Sequence, residues 1–573
     1  MTPNTPHRRW HDLYRAHPGA LEPASSTALE MFRATAAQHR DRPLVHYFDR
    51  SLTVDQVDAL SDSLAVALQQ RGTEPGDRIA MCLQNIPQAV ITVLAAWKCG
   101  AAVVPCNPMW RERELTKILG DSGARVLICQ DDVYEDVARA VLPNTAVEHT
   151  LTTSPLEFLG DASATPRMLA GMSRGRGLDA GAMDLLEVIG QHGGQSPIPI
   201  EIGGHDVAFM VYTSGTTGEP KAALNTHRNV VFATTVYERW IGLTCDDTIL
   251  GLAPLFHVTG LIGHATLSML TGSPLVLFYR FDAEEACRLI EQHRATFTVS
   301  SVTAFIALLN SDAMGRFDLA SLTKVYTGGA PTPPGVLADW HARTGSRIQP
   351  MYGLTEATSP THMTPHGVVP PVDPKTGVIS IGVPVFNTDV RILNDRGTEA
   401  APGEIGELVI SGPQIVPRYW RRPKETAVSL RSREVRNCEL RTGDVGFMDE
   451  AGWFYLVDRA KDMIIASGFK VWPREVEEVL YLHPAVREAA VVGIPDSYRG
   501  ETIKAVVSLK PGQTVTTDEI KAFARTQLAA YKYPRVVEIV DELPKTASGK
   551  IMRRMLKTAP DAVPAAEAES RVA

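Results

Sequence analysis

The sequence predicts an α/β fold: a large multi-subdomain N-terminal domain of doubly wound sheets with helices plus a β-rich subdomain, then a small α+β C-terminal domain. Three observations carry that prediction. From 52 to 128 amphipathic helical stretches alternate with short apolar runs, the pattern of helices laid over a largely parallel sheet. From 378 to 455 the pattern changes to short strands separated by Gly, Asp and Pro turns. Beyond Val457 the chain has the length and helix–strand mixture of a separate compact module.

The elements follow in order. Residues 55–70 read as a helix, 78–83 as a strand, 87–100 as a helix and 102–105 as a strand. Residues 143–205 have weak periodicity and abundant Gly, Ser, Thr and Pro, which predicts a mobile surface connection. Alternation resumes from 207 to about 326. Within it, 249–279 carries no Asp, Glu, Lys or Arg, yet Pro254, Gly260, Gly263, Gly272 and Pro274 punctuate it as pieces of core and pocket lining rather than one membrane span. In the last module the expected elements are helices at 473–482 and 517–529 and strands near 489–494, 503–509 and 536–540. The expected domains are 27–459 and 460–557, with a disordered tail at 558–573 that is rich in Ala, Pro and Glu.

With 573 residues, 44% of them hydrophobic, the chain can bury sizeable cores and is too long for one ordinary domain. A formal net charge of -8 leaves no basic excess for a phosphate backbone, so no nucleic acid partner is expected. Seven cysteines are scattered without C-x-x-C spacing, which argues for reduced thiols and against a disulfide framework or a zinc site. The polar stretch 1–23 lacks the apolar segment of a secretory signal, and a cytoplasmic location is expected.

The sharpest local signal is Tyr212-Thr213-Ser214-Gly215-Thr216-Thr217-Gly218-Glu219-Pro220-Lys221, directly after the apolar run 207–211. Glycines let backbone N–H groups approach a phosphate, hydroxyls add hydrogen bonds and the lysine adds charge. It is not a Walker A loop, because Glu219 and Pro220 separate the second glycine from the lysine. Composition alone also permits an ordinary surface loop. The stretch closely resembles the signature loop of the adenylate-forming superfamily of acyl-CoA synthetases, luciferases and peptide-synthetase adenylation domains, with Ala222 where that family usually has glycine.

The resemblance gives meaning to further motifs that are individually weak. Gly328-Gly329-Ala330-Pro331 is similar to the family's adenine-binding turn, and Tyr352-Gly353-Leu354-Thr355-Glu356 to its ATP–metal motif. The resemblance implies Tyr352 for adenine, Thr355 for phosphate and Glu356 for Mg²⁺, a hard cation that prefers oxygen ligands; taken alone, the motif also reads as a helix N-terminus with capping residues. The block 441–459 resembles the ribose-binding strands and implies Asp444 as ribose ligand with Arg459 near the nucleotide; a hairpin with structural Asp residues is the alternative. Lys461 is implied as the hinge of a mobile C-terminal domain. Gly468 and Lys470 are implied in the loop lining the pantetheine channel of CoA. Pro544-Lys545-Thr546-Ala547-Ser548-Gly549-Lys550 matches the family's final motif and implies Lys550 as the catalytic lysine, where an isolated Ser-Gly-Lys would read as a solvated loop.

The implied enzyme is an AMP-forming acid–thiol ligase that uses ATP, Mg²⁺ and CoA. The region around His257 is where amino-acid-activating relatives usually carry an Asp; none follows Phe256, which disfavours an amino-acid substrate and leaves His257 as a pocket residue or a packing residue. The uncharged run and the N-terminal third look most like medium- or long-chain fatty acid–CoA ligases. An aryl or polycyclic acid, or a carrier-protein thiol in place of CoA, are the alternatives. Peripheral membrane contact and a homodimer stay open.

Overall fold

The computed structural model describes residues 8–14, 20–160, 165–172, 181–213, 220–330, 332–434, 437–459, 462–466, 469–496, 500–529, 531–546 and 551–557. The predicted tail at 558–573 lies outside them. Among the described residues the strands form four sheets, of nine, seven, five and five strands.

The seven-stranded sheet is built as the alternation predicts. Strands Arg78–Cys82, Ala102–Pro105 and Val126–Gln130 are parallel and almost wholly buried, as strands covered on both faces must be. Helices Val54–Gln70 and Pro87–Lys98 pack against each other. The first begins where Thr53 accepts a hydrogen bond from the Gln56 N–H while the Gln56 side chain answers the Thr53 backbone. Strands Val207–Thr213 and Lys221–Thr226 close this sheet as an antiparallel hairpin.

Parts of stretch 143–205 are regular structure rather than a surface connection, while 161–164 and 173–180 lie outside the described residues. His149–Thr153 enters the sheet as a parallel neighbour of Val126–Gln130, and Leu185–Gln191 forms a helix capped by Asp184. A threonine-rich strand lacks an apolar signature, but here the Thr153 hydroxyl has a partner inside: Gln88 Nε2 donates to Thr153 Oγ1 at 3.0 Å.

In the nine-stranded sheet the consecutive parallel strands Phe297–Ser300, Lys324–Thr327 and Arg347–Leu354 lie side by side, and the chain then turns back through antiparallel Ser359–Met363. The uncharged run 249–279 is divided as expected: strand Ile249–Leu250, a helical stretch from Val258 to Thr271 with a π-helical turn at Leu261–Thr266, and strand Leu275–Leu277. No helix of the described residues is long and apolar enough to cross a membrane.

Asn85 joins the two large sheets. Its backbone exchanges hydrogen bonds with Tyr279 at 3.1 Å in both directions, its Nδ2 donates to the Gly251 and Ala253 carbonyls, and its Oδ1 accepts the Leu255 N–H at 2.8 Å. The β-rich region follows as a five-stranded antiparallel sheet containing Asp389–Leu393, Gly406–Gly412, Asn437–Met448 and Phe454–Arg459. One continuous apolar core runs through all of this, from Trp10 to Val457. It reaches ahead of residue 27, because Trp10 is buried against Phe454 of the β-rich sheet and Tyr14 is buried against Trp240 and donates to the carbonyl of Pro384, on the edge strand Val383–Pro384 of the nine-stranded sheet, at 2.7 Å.

The chain beyond Val457 has its own five-stranded sheet, with the long hairpin Val486–Asp496 and Gly500–Leu509 at its centre, and its own apolar clusters. Helices Pro473–Tyr481 and Thr517–Gln527 and strand Val536–Ile539 complete the α+β unit. All seven cysteines are free thiols, five of them buried.

Candidate nucleotide-binding site

The candidate site is assembled at the carboxyl ends of parallel strands, the edge at which open α/β sheets bind ligands. Strand Lys324–Thr327 delivers Gly328, Gly329 and Ala330 as a turn, with Gly329 at φ +80° and exposed. The neighbouring strand Arg347–Leu354 delivers Tyr352 and Gly353, followed by a single 3₁₀ turn, Thr355–Ala357. A Cβ on Gly353 would fall on the Ser359 carbonyl oxygen, so only glycine allows the returning strand to pass this close.

Thr213 and Lys221 face each other across the mouth of the hairpin formed by their strands. The loop between them holds Ser214, Gly215, Thr216, Thr217 and Gly218, which lie outside the described residues. Lys221 Nζ sits 4.9 Å from the centroid of the Tyr419 ring, within reach of a cation–π attraction. The Tyr419 hydroxyl donates to Glu356 Oε1 at 2.7 Å. Burial and the neighbouring Glu356 carboxylate both raise the Tyr419 pKa, so the phenol stays protonated and acts as a donor. Lys221, Tyr419 and Glu356 thus form one connected line from the signature hairpin to the expected metal ligand. Asn225, on the lysine's strand, fixes the same turn by donating from Nδ2 to the Thr355 carbonyl at 3.0 Å and to Thr358 Oγ1 at 2.9 Å.

A second connection ties the adenine motif to the ribose motif. Tyr352 donates its hydroxyl to Asp444 Oδ2 at 2.5 Å. Asp444 is held in turn by its own N–H donating to Thr442 Oγ1, and by backbone pairing with Arg459 across the strand ladder. Both the carboxylate and the aromatic ring therefore have fixed aims.

The expected residues divide clearly. Thr213, Lys221, Thr355 and Glu356 come together, as do Tyr352, Gly353 and Asp444, while Gly329 and Ala330 lie on the adjoining strand end. Pro331, Lys461, Gly468 and Lys550 fall outside the described residues, and Arg459 and Lys470 are placed here by backbone pairing alone. His257 is half-buried and caps a helix start, its Nδ1 accepting the Thr259 N–H at 3.3 Å. Tyr419 and Asn225 were not foreseen. For Tyr419 the available signal was an aromatic pair set among arginines, Arg418 to Arg422, at the end of a polar loop.

The site suits Mg²⁺ arriving with nucleotide phosphates. Among the described residues no group of three or more His, Cys, Asp or Glu side chains is placed to hold a metal by itself. A magnesium ion bound through one carboxylate and substrate phosphates needs no such cage, and Glu356 spends one oxygen on Tyr419, leaving its other for a hard cation.

Comparison with known proteins decides the family. Residues 32–420 match the AMP-binding enzyme family and residues 475–550 match the AMP-binding enzyme C-terminal domain. The chain belongs to the AMP-binding enzyme family. Among its relatives this AMP-binding enzyme is 36% identical over 551 residues to a long-chain-fatty-acid–CoA ligase of Bacillus subtilis (strain 168), covering 94% of this chain and 95% of that one. It is 35% identical over 509 residues to a feruloyl-CoA synthase of Amycolatopsis sp, covering 89% and 94%. Its fold superimposes on an anthranilate CoA ligase solved in complex with anthranoyl-AMP, with a TM-score of 0.82, 26% identity and 94% and 98% of the two chains covered.

Proposed function

We propose that this AMP-binding enzyme is an ATP-dependent acid–thiol ligase that converts a medium- or long-chain fatty acid to its CoA thioester. The carboxylate attacks the α-phosphorus of ATP, pyrophosphate leaves and an acyl-adenylate forms; the CoA thiolate then attacks the acyl carbonyl and AMP leaves. The observation that carries the reading is the line from Lys221 through Tyr419 to Glu356, set beside the Tyr352–Asp444 pair. It gives one site a cation and hydroxyls for phosphate, a carboxylate for a phosphate-bound metal, and an aromatic face with an oriented carboxylate for the nucleoside. Lys221 and Thr213 would bind phosphate oxygens, Glu356 would hold Mg²⁺, and Asp444 would accept from the ribose hydroxyls. Mg²⁺ supplies charge neutralisation on the phosphates when bound. Lys550 is the proposed catalytic lysine of acid activation, and Lys461 the proposed hinge.

The division into 27–459 and 460–557 belongs to the same reading, supported by the separate sheet and apolar clusters beyond Val457. So does a cytoplasmic location. Support for an apolar acid comes from the stretch 249–279, which carries no Asp, Glu, Lys or Arg, and from the similarity to the long-chain-fatty-acid–CoA ligase. A second reading, an aryl acid as substrate, draws on the feruloyl-CoA synthase and anthranilate CoA ligase similarities.

The test is pyrophosphate release by the purified protein with MgATP across saturated fatty acids, aryl acids and amino acids, each with and without CoA. CoA-stimulated release with fatty acids is expected. Release with an aryl acid alone keeps the chemistry and replaces the substrate. Silence with every acid sinks the ligase reading.

A further inference from the structure

Away from the nucleotide-binding residues, a buried ionic cluster joins the β-rich sheet to the C-terminal unit. Its centre is Arg553, at the start of the 3₁₀ turn Arg553–Leu556. Arg553 Nη1 lies 2.9 Å from Asp458 Oδ1 and 3.6 Å from Asp462 Oδ2, while Nη2 donates to both Glu477 oxygens, at 2.9 and 2.7 Å. The Asp458 and Glu477 side chains are only 3% and 8% exposed. The remaining oxygen of Asp458 accepts the Arg474 N–H at 3.0 Å, and Arg474 reaches back to the Leu456 carbonyl at 2.8 Å. Glu477 Oε1 also accepts the Val491 N–H at 2.8 Å.

Asp458 and Leu456 belong to strand Phe454–Arg459 of the β-rich sheet; Arg474, Glu477 and Arg553 belong to the C-terminal unit. The cluster therefore crosses the junction between two units that each have a core of their own. Stripping water from so many charges is costly, and a buried ion pair is a poor way to gain stability compared with apolar packing. What such a cluster supplies is a defined relative geometry, since the planar guanidinium fork satisfies its carboxylates in one arrangement only.

The position of Asp458 gives that geometry a purpose. Asp458 pairs with Val445 in the ladder where Asp444 pairs with Arg459, so it stands one residue from the proposed ribose ligand. Arg553 follows closely on the bridge between Lys545 and Ile551, reinforced by the Met552 N–H donating to the Pro544 carbonyl at 2.7 Å. Arg553 thereby moors the base of the C-terminal hairpin to the strand ladder of the nucleotide site.

We propose that Arg553 is a positioning residue: by clasping Asp458 across the junction it holds the C-terminal unit in the orientation seen here, which serves one half-reaction of the ligase and not the other. The inference rests on the acid–thiol ligase reading and adds to it a residue outside the binding machinery. On the ligase reading the C-terminal unit rotates about Lys461 between the half-reactions, so loss of the clasp penalises selectively the half-reaction that uses this orientation.

The experiment uses the full chain as wild type, Arg553→Met, Arg553→Lys and Asp458→Asn. Pyrophosphate release reports acid activation, thioester formation from supplied acyl-adenylate and CoA reports transfer, and thermal melting reports folding. Arg553→Met and Asp458→Asn are expected to lower one half-reaction, the same one in both variants, by at least about tenfold while the other stays within about twofold. Arg553→Lys, which keeps the charge but loses the fork, should recover part of the loss. An equal fall of both half-reactions, or no fall in either, overturns the proposal. If Arg553→Met does not fold, Asp458→Asn carries the same test, because it leaves the Arg553–Glu477 pair in place. A wild type silent with every acid is a failure of the ligase reading and is visible without any variant; failure of the clasp appears only in the variants of an active wild type.

Discussion

Replacing Tyr419 by Phe removes one hydroxyl and nothing else from the line between Lys221 and Glu356. The ring face 4.9 Å from Lys221 Nζ is kept, so the cation–π contact survives; the 2.7 Å hydrogen bond to Glu356 Oε1 is lost. A hydrogen bond to an ionised acceptor contributes roughly 1.5 to 3 kcal/mol. Glu356 is half-buried and water can partly replace the phenol, so the lower end applies: about 1.5 kcal/mol, or roughly a twelvefold fall in kcat/KM for MgATP. Tyr419→Leu removes the ring as well and loses about a further 0.5 to 1 kcal/mol of cation–π attraction, bringing the fall to roughly fiftyfold. The assay is continuous pyrophosphate detection at saturating acid, with MgATP varied and then free Mg²⁺ varied. Because Tyr419 is only 4% exposed, melting curves are needed to show that both variants are folded. If Tyr419→Phe keeps wild-type kinetics to within twofold while Tyr419→Leu collapses, the hydroxyl does not aim Glu356 and the argument for this line is wrong.

Asp444→Ala should raise the KM for ATP by about tenfold or more with little change in melting temperature, and an unchanged KM removes its ribose role. Gly353→Ala places a methyl on the Ser359 carbonyl, an overlap expected to cost roughly 4 kcal/mol or more; a variant melting within about 2 °C of wild type would refute that reading of the backbone. The protein should also lose stability in mild acid. Burial holds His227 and His264 down at about 4 and His362 at about 3. Their folded pKa values lie below the ordinary value near 6.5, so the unfolded chain binds more protons between those limits. The stabilisation is complete above about pH 6.5 and declines as pH falls towards 4, and for His362 towards 3, by at most roughly 3 kcal/mol for His227 and His264 and roughly 5 kcal/mol for His362. Melting temperature against pH, with His362→Phe flattening the slope, checks this.

The sequence made the fold legible wherever burial leaves a periodic trace. The helix at 55–70 was found to within a residue because its apolar positions recur at helical spacing, and the run 249–279 divided at Pro254, Gly272 and Pro274, while Gly260 and Gly263 lie inside its helical stretch. It misled at His149–Thr153, a largely buried strand in which three of five residues are threonines, since periodicity registers apolar side chains and not buried hydroxyls such as that of Thr153. Chemistry was legible where a motif is contiguous. Tyr419 was invisible because its meaning depends on Glu356, 63 positions away, and Arg553 for the same reason, with Asp458 95 positions away. Trp10 and Tyr14 sit in a polar stretch, and nothing local announces that they anchor it, the one to the β-rich sheet and the other to the nine-stranded sheet.

Asn85 answers the backbone on both sides of its seam much as a strand would, and the apolar core continues beneath it without interruption. The two large sheets consequently have no boundary at which one can come apart while the other persists. In a calorimeter they should melt together with the β-rich region as a single cooperative event, and the unit beyond Val457, with a sheet and apolar clusters of its own, is the part free to melt on its own.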